Sequence, residues 1–147
     1  MTSGNDFSIR PALTTDIDAI KQLADKHRNE LGFLRRPALL RAIQRCELLV
    51  AQHRADLVGF IEYRHRQDKQ TTLYNVVVHP EYRGLGVGRH LVFTLEKEAQ
   101  EREKSLVLLK CPDDLPANQF YERIGYEKSN VEAGKSRRLN IWRKNLP

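Results

Sequence analysis

One segment of the sequence places an arginine and three alternating glycines after an apolar run and before an amphipathic one. It reads Val76-Val77-Val78-His79-Pro80-Glu81-Tyr82-Arg83-Gly84-Leu85-Gly86-Val87-Gly88-Arg89. The apolar run predicts a strand, and the amphipathic run predicts a helix. The start of a helix leaves backbone N–H groups without acceptors and carries a partial positive charge, and glycine lets a ligand approach the backbone closely. The segment therefore predicts a site for a phosphorylated ligand.

Two other phosphate-binding motifs fit this segment less well. A Walker loop requires a lysine and then Ser or Thr after its last glycine, whereas Gly88 is followed by Arg89 and His90. A dinucleotide fingerprint spaces its glycines differently and requires an acidic residue about 20 positions further on. The apolar run in that region, Ser105-Leu-Val-Leu-Leu-Lys110, contains no acid. On the residues alone, a plain glycine-rich turn between strand and helix is the alternative.

The pattern Arg83-x-x-Gly86-x-Gly88 resembles the acetyl-CoA pyrophosphate loop of the GNAT-type N-acetyltransferases. Two further segments are similar to this superfamily, Val78-His-Pro-Glu-Tyr-Arg83 and Asn118-Gln-Phe-Tyr-Glu-Arg-Ile-Gly-Tyr126. The resemblance covers nearly the whole chain and implies a single GNAT-like N-acetyltransferase domain at residues 1–147. It implies an α/β (α+β) fold of order β-α-α-β-β-β-α-β-α-β-β, with a central mixed sheet and helices on both faces.

The resemblance also implies acetyl-CoA as the co-substrate, with no metal. In the superfamily the strand before the glycine loop separates from the next parallel strand, and its free backbone groups bind the pantetheine arm as an added strand would. Here those groups would belong to Val76, Val77 and Val78. The pyrophosphate would be held by the backbone amides of Arg83, Gly84, Leu85, Gly86, Val87, Gly88 and Arg89.

Acetyl transfer to an amine needs a neutral nucleophile and a proton for the departing thiolate. Tyr121 matches the tyrosine that often occupies this helix in the superfamily, and a phenol can act as the general acid. Asn118 lies three residues earlier on nearly the same helix face and would bond the cofactor arm. The alternative for this pair is a capping asparagine and a core tyrosine.

The general base is where the sequence departs from the superfamily pattern. Many members carry a glutamate on the strand before the glycine loop, but Thr71-Thr-Leu-Tyr-Asn75 contains no carboxylate. Glu62 on the neighbouring strand could serve directly or through water, and a surface glutamate is the alternative. We interpret His79, before Pro80 at the strand exit, as structural, and Cys111 as a buried thiol rather than an acyl-carrying nucleophile.

The composition sets limits on partners and compartment. The formal net charge of +6 fits an anionic ligand, but the basic residues are scattered, so nucleic-acid binding is not favoured. No apolar run reaches the 18 or so residues of a membrane span, and no secretory signal is visible at the N-terminus. Cys46 and Cys111 form no metal-type or redox-type pair, which favours a reducing cytoplasm.

The remaining elements follow from periodicity and breakers. A first helix follows Thr14-Thr15-Asp16, is interrupted by Gly32, and a second starts at Pro37 and ends near Cys46. Two later helices are predicted at 87–104 and 117–123. The predicted strands are 7–10, 48–51, 57–61, 72–78, 106–109, 126–130 and 138–143.

The acceptor is the least determined part of the prediction. An amine-bearing small molecule or protein would be gripped by the first two helices, Leu31–Pro37 and Asn130–Arg137. These parts are basic and polar, which fits an acidic or carboxylate-bearing amine or a protein N-terminus. The alternative function is a CoA-binding regulatory module without catalysis. The exposed strands near the C-terminus, with Ile141 and Trp142, could form a homodimer edge, and a covered core position explains these residues equally well.

Overall fold

The protein forms a seven-stranded sheet with helices on both faces in a computed structural model, which describes residues 6–31 and 34–147. The helices are α1 (Ile17–Lys26), α2 (Arg28–Leu31), α3 (Arg36–Gln44), α4 (Val87–Glu101) and α5 (Ala117–Arg123). The strands are β1 (Ser8–Pro11), β2 (Leu48–His53), β3 (Asp56–His65), β4 (Gln70–Val78), β5 (Leu106–Pro112), β6 (Glu127–Ala133) and β7 (Arg138–Asn145). Two 3-10 turns, Thr14–Asp16 and Pro80–Tyr82, precede α1 and the glycine segment.

The strands lie in the order β1-β2-β3-β4-β5-β7-β6. Strands β4 and β5 are parallel, and the other neighbouring pairs are antiparallel. The parallel pair needs a crossover connection, which α4 supplies. The predicted mixed sheet and the predicted order of elements are confirmed, with α2 as an additional single turn.

Each face of the sheet buries its own apolar core. On one face α4 and α5 pack through residues such as Leu91, Leu95 and Tyr121. On the other face α1 and α3 pack through Ile20, Leu23 and Leu39 against Val50 and Phe60. Because side chains alternate across a strand, Phe60 and Ile61 on β3 belong to opposite cores. This alternation fixes which residues of β3 and β4 can reach each side of the sheet.

Several local predictions differ from the structure. Most strands extend further than predicted, because pairing with neighbours continues past the last apolar residue. The Thr14–Asp16 segment does not cap α1 through its side chains. The Asp16 carboxylate instead accepts a hydrogen bond from the Leu13 N–H at 2.7 Å and pairs with Arg10 at 2.8 Å. The predicted break at Gly32 lies outside the described residues.

The C-terminal strand is not a free edge of the sheet. Strand β7, which carries Ile141 and Trp142, lies between β5 and β6, and β6 forms the edge of the sheet. Trp142 belongs to the core beneath α4 and α5, which was the alternative. Homodimer formation itself stays a prediction. Within residues 6–31 and 34–147, no helix combines the length and apolar character that crossing a bilayer demands.

Candidate active site

The parallel strands β4 and β5 pair over a short stretch and then separate. Their register runs from Gln70 opposite Leu106 to Leu73 opposite Leu109 and goes no further. A bulge lies at this point, because Glu62 on β3 pairs with Asn75 whereas Tyr63 pairs with Leu73, which leaves Tyr74 as an extra residue on β4. A bulge bends its strand and increases the local twist. The bend at Tyr74 therefore accompanies the opening of a gap between β4 and β5.

Beyond the bulge, β4 pairs on one side only. Val76, Val77 and Val78 remain paired with β3, opposite Ile61, Phe60 and Gly59. The His79 N–H points towards β3, because it donates to the Val58 carbonyl at 2.8 Å. Backbone groups along a strand point alternately to the two sides, so the N–H and C=O groups of Val77 also point towards β3. Those of Val76 and Val78 point towards the gap. Arg83 Nε donates to the Val78 carbonyl at 3.4 Å, which agrees with that orientation.

The glycine segment carries the chain from β4 into α4. Gly84 and Gly86 have φ values of +79° and +87°, a backbone region that L side chains enter only at a cost. Gly86 is the N-cap residue of α4, and no side chain caps that end of the helix. The first amides of α4, from Gly86 to Arg89, therefore have no intrahelical acceptor and remain available to a ligand.

The side chains of this segment have different positions. Val87 is buried under the sheet, whereas Arg83, Leu85 and Arg89 are exposed. A Cβ at Gly88 would lie 3.4 Å from Phe120 Cζ and 3.5 Å from Val78 Cγ2, which are ordinary van der Waals distances. Two of the three glycines thus serve the backbone conformation, and Gly88 lies where α4 meets α5 and β4.

Tyr121 lies on α5, in the core between α5 and the sheet. Its ring packs edge-on against those of Phe120 and Tyr126, with centroids 5.3 and 6.0 Å away. Burial is the main cause that raises the pKa of its phenol above the ordinary value, with a smaller contribution from Cys111. The hydroxyl makes no hydrogen bond among the described residues. Its oxygen is not completely inaccessible to solvent, unlike His65 Nε2, which is both inaccessible and without a hydrogen-bond partner. Tyr121 therefore keeps its proton at neutral pH and can donate it.

The Asn118 side chain is fully engaged within the protein. Its amide nitrogen donates to the carbonyls of Pro112 and Leu115, each at 2.8 Å. Its oxygen accepts hydrogen bonds from Trp142 Nε1 at 2.8 Å and from Asn140 Nδ2 at 3.0 Å. These four bonds use both amide hydrogens and both oxygen lone pairs. The predicted bond from Asn118 to the cofactor arm stays a prediction, and it would have to replace one of these contacts.

Glu62 faces away from α4, on the same side of the sheet as α1 and α3. Its Oε1 accepts a hydrogen bond from Asn75 Nδ2 at 2.8 Å, across the last pair before the bulge. Burial raises the pKa of the Glu62 carboxyl, and the bond from Asn75 acts in the opposite direction. Glu62 is thus a partly buried carboxylate beside the gap, not the solvated surface glutamate of the alternative.

His79 and Cys111 occupy structural positions. His79 Nδ1 accepts the Glu81 N–H at 3.1 Å and so caps the 3-10 turn before the glycines. Cys111 is buried at the end of β5, and burial raises the pKa of its thiol to about 11. A thiol with this pKa is almost fully protonated at neutral pH and is a poor nucleophile. Among the residues that the structure describes, no three His, Cys, Asp or Glu side chains cluster as metal ligands do.

The sequence did not single out two features of the site. One is Asn75, whose role depends on the cross-strand register with Glu62. The other is a cavity of about 840 Å³ on the same sheet face, lined by residues that include Arg66, Thr72, Tyr74 and Lys110. These residues come from three strands and the β3–β4 turn, so no local motif joins them. Only the apolar–polar alternation of β3 could have shown that Glu62 and Arg64 share a face.

Comparison with known proteins places this geometry in a family. The model of the acetyltransferase (GNAT) family matches residues 17–126, which include the separated strands, the glycine segment and α5. The chain belongs to the GNAT acetyltransferase family.

Individual relatives are more distant. An uncharacterized N-acetyltransferase, Ycf52 of Porphyra purpurea, is 32% identical over 72 residues, which cover 49% of this chain and 40% of the relative. The chain thus matches less than half the length of this curated relative. Among solved structures, the ribosomal-protein-S18-alanine N-acetyltransferase of Escherichia coli superposes with a TM-score of 0.81 at 18% identity, over 95% of this chain and 94% of the other.

A second solved structure contains a bound ligand. The PaiA N-acetyltransferase of Thermoplasma acidophilum, in complex with coenzyme A, superposes with a TM-score of 0.80 at 20% identity. The superposition covers 95% of this chain and 98% of that one. At these identities the two structures establish that the GNAT fold is shared.

Proposed function

We propose that this chain is an N-acetyltransferase that transfers the acetyl group of acetyl-CoA directly to a primary amine of a small molecule or protein. The separation of β4 from β5 after Leu73, with open backbone groups at Val76 and Val78, carries this proposal. It leads directly into the unoccupied amides at the start of α4. Family membership and the coenzyme A complex of the PaiA relative support it.

The residues fit such a ligand at each part of its length. Val76 and Val78 offer a donor and an acceptor on each residue to the amides of the pantetheine arm, as a strand edge does. The amides from Gly84 to Arg89, together with the positive end of α4, would hold the pyrophosphate. The exposed guanidinium groups of Arg83 and Arg89 add positive charge near that position. Acetyl-CoA supplies an activated acyl group as its thioester.

The protein's own groups would then move two protons. Glu62 accepts a proton from the acceptor ammonium, directly or through water, so that a neutral nitrogen attacks the thioester carbonyl. A C–N bond forms and the C–S bond breaks, the Tyr121 hydroxyl donates a proton to the departing sulfur, and the second proton that the nitrogen loses restores that hydroxyl, directly or through water. Its phenol, with a raised pKa, remains protonated for that task. The direction of both pKa shifts suits these assignments, although Glu62 lies on β3 rather than on β4.

Thiol release from acetyl-CoA with a panel of amines tests the activity, and Tyr121→Phe tests the general acid. We expect this variant to lower kcat by about 100-fold, because loss of one positioned acid costs at least that much. Its KM for acetyl-CoA should change little. Tyr126→Phe is the matched control, since it removes a neighbouring buried hydroxyl that donates to Glu96 Oε2 at 2.9 Å.

The outcomes separate the proposal from its alternative. Acetyl-CoA binding without thiol release for any amine would favour a regulatory module that has lost catalysis. Equal kcat values for Tyr121→Phe and the unaltered protein would remove Tyr121 from the mechanism while leaving the activity in place.

A further inference from the structure

An open cavity on the sheet face opposite α4 has a basic lining. Its volume is about 840 Å³, and its charged lining residues are Arg64, Arg66, Lys110 and Asp68. Three cations and one carboxylate thus line it. Glu62 is not a lining residue, but it lies two residues before Arg64 on β3, and both alternate with the core residue Tyr63 and so share this face. The lining also includes Leu73, the last β4 residue paired with β5, so the cavity lies next to the start of the gap.

Arg66 is held in place by neutral groups. Its Nε donates to Thr72 Oγ1 at 3.1 Å, and its Nη2 donates to the Tyr74 hydroxyl. The guanidinium carbon also lies 5.7 Å from the centre of the Tyr74 ring. These bonds use two of the five guanidinium N–H groups and bring no negative charge. Within residues 6–31 and 34–147, neither Arg66 nor Arg64 forms an ion pair with a carboxylate.

The other charged groups of the cavity have their own contacts. Lys110 Nζ pairs with Glu132 Oε1 at 2.8 Å, which offsets its charge. Asp68 keeps its negative charge, and its Oδ1 accepts the Gln70 N–H at 2.9 Å at the β3–β4 turn. Arg64 and Arg66 together outweigh this single carboxylate, so the lining keeps a net positive charge. A fixed guanidinium with free N–H groups is the geometry that binds carboxylates through two parallel bonds.

Strand geometry gives the spacing of these arginines from Glu62. Glu62 and Arg64 are alternate residues of β3, Arg66 follows directly after the strand, and each two-residue step of extended chain spans about 6.6 Å. The Cα atoms of Arg64 and Arg66 thus lie about 7 and 13 Å along the chain from that of Glu62. An extended peptide spans about 7 to 13 Å in two to four residues, so an acidic side chain near a peptide N-terminus matches this spacing.

We propose that the acceptor is a peptide or protein N-terminus with an acidic side chain among its first few residues, bound by Arg66 and Arg64. This inference rests on the proposed acetyltransferase function. The amine would lie beside Glu62 at the gap between β4 and β5. The acidic side chain would lie in the basic cavity, where Tyr74 supports the guanidinium of Arg66.

Two peptides that differ only in Glu or Gln at their second and third residues test this inference. We expect the Glu peptide to have a kcat/KM at least tenfold higher, because charged hydrogen bonds to a fixed guanidinium are among the stronger ones. Arg66→Gln should bring the ratio close to one, chiefly through KM for the Glu peptide. Arg66→Glu should reverse the charge preference, so that a third peptide with Lys at the second and third residues has a higher kcat/KM than the Glu peptide. Arg102→Gln, an exposed arginine after α4 on the other side of the sheet, should leave the ratio unchanged.

Binding provides a second readout that does not need turnover. Fluorescence anisotropy of the two labelled peptides, in the presence of coenzyme A, should show tighter binding of the Glu peptide that Arg66→Gln abolishes. Equal affinities and equal kcat/KM values for the two peptides would overturn the inference, as would free glutamate acetylated better than either peptide. Selective binding of the Glu peptide without thiol release would contradict the proposed activity instead and leave this inference standing.

Discussion

Glu62 and Tyr121 lie on opposite sides of the sheet, and burial affects their chemistry in different ways. Burial disfavours the charged form of each group, so it raises the pKa of both. For the carboxyl, a raised pKa makes the ionised form a stronger base. For the phenol, it secures the neutral donor. The two groups thus suit the two proton transfers that amide formation requires.

The bond from Asn75 to Glu62 predicts a pH effect. This hydrogen bond favours the ionised carboxylate and opposes the larger effect of burial. Asn75→Ala removes the opposing contribution, so the pKa of Glu62 should rise further. The acidic limb of the profile of kcat/KM against pH should therefore move to higher pH, with activity lost earlier as the pH falls.

Two variants test the assignment of the acidic limb to Glu62. Glu62→Gln should remove the acidic limb together with most of the activity, since no proton acceptor is left at this position. Asn145→Ala, at the end of β7 and away from Glu62, should leave the limb where it is. A limb that moves to lower pH in Asn75→Ala would show that Glu62 is not the titrating group.

At the residue scale, the sequence indicated which residues belong to the site better than it indicated their hydrogen-bond partners. Tyr121 and the glycines could be placed because their spacing is local. The bonds of Asn118 to Asn140 and Trp142 could not, because they join α5 to a strand more than twenty residues later. The partner of Glu62 depended on a register that a single bulge at Tyr74 shifts. Long-range pairs of this kind are fixed by packing and leave no periodic signal.

The start of α4 is the element on which cofactor binding would depend. Gly86→Ala places a Cβ on a residue with φ of +87°, which costs about 1–2 kcal/mol of unfolding free energy. It also adds a methyl group beside the first free amides of the helix. We expect acetyl-CoA affinity, measured by calorimetry, to fall at least tenfold, together with a modest loss in thermal stability.

The matched control is Gly125→Ala, which introduces the same backbone strain at φ of +99° at the end of α5. It should lower thermal stability by a similar amount and leave acetyl-CoA affinity unchanged. An equal fall in affinity for both variants would mean that the effect of Gly86→Ala is only a loss of folding. In that case the helix start would not be the anion site.

At the element scale, the order of strands and helices could be read from the sequence, but their ends could not. Periodicity indicated α4 and α5, and the boundaries of α5 at Ala117 and Arg123 were predicted correctly. Strand β3 runs to His65, four residues past its predicted end at Ile61, because polar residues there pair with β4. The length of a strand depends on whether its neighbour continues, which its own sequence does not record.

For the whole molecule, the net charge of +6 is compatible with two kinds of anionic partner, and thermal stability distinguishes them. A ligand that binds the folded state at about 100 times its Kd adds about 2.7 kcal/mol. In a domain of this size that corresponds to a rise in Tm of roughly 5 to 10 °C. We expect acetyl-CoA to produce this rise and duplex DNA at low salt to produce none.

The opposite result would point to another function. A rise in Tm with DNA, lost on addition of salt, together with no response to acetyl-CoA, would indicate a basic nucleic-acid-binding module. A single domain over residues 1–147 and a reducing compartment stay predictions. Both cysteines are free, with Cys46 exposed and Cys111 buried.

The open edge of β4 has a consequence for how such sequences can diverge. If recognition relies on the N–H and C=O groups of Val76 and Val78, every residue type except proline presents the same groups. Side chains along this strand can then be substituted during evolution without loss of the backbone contacts to the ligand. The positions of Gly84 and Gly86, which have positive φ, tolerate substitution less well. A shared fold at 18 to 20% identity, as with the two solved relatives, is what such freedom would leave behind.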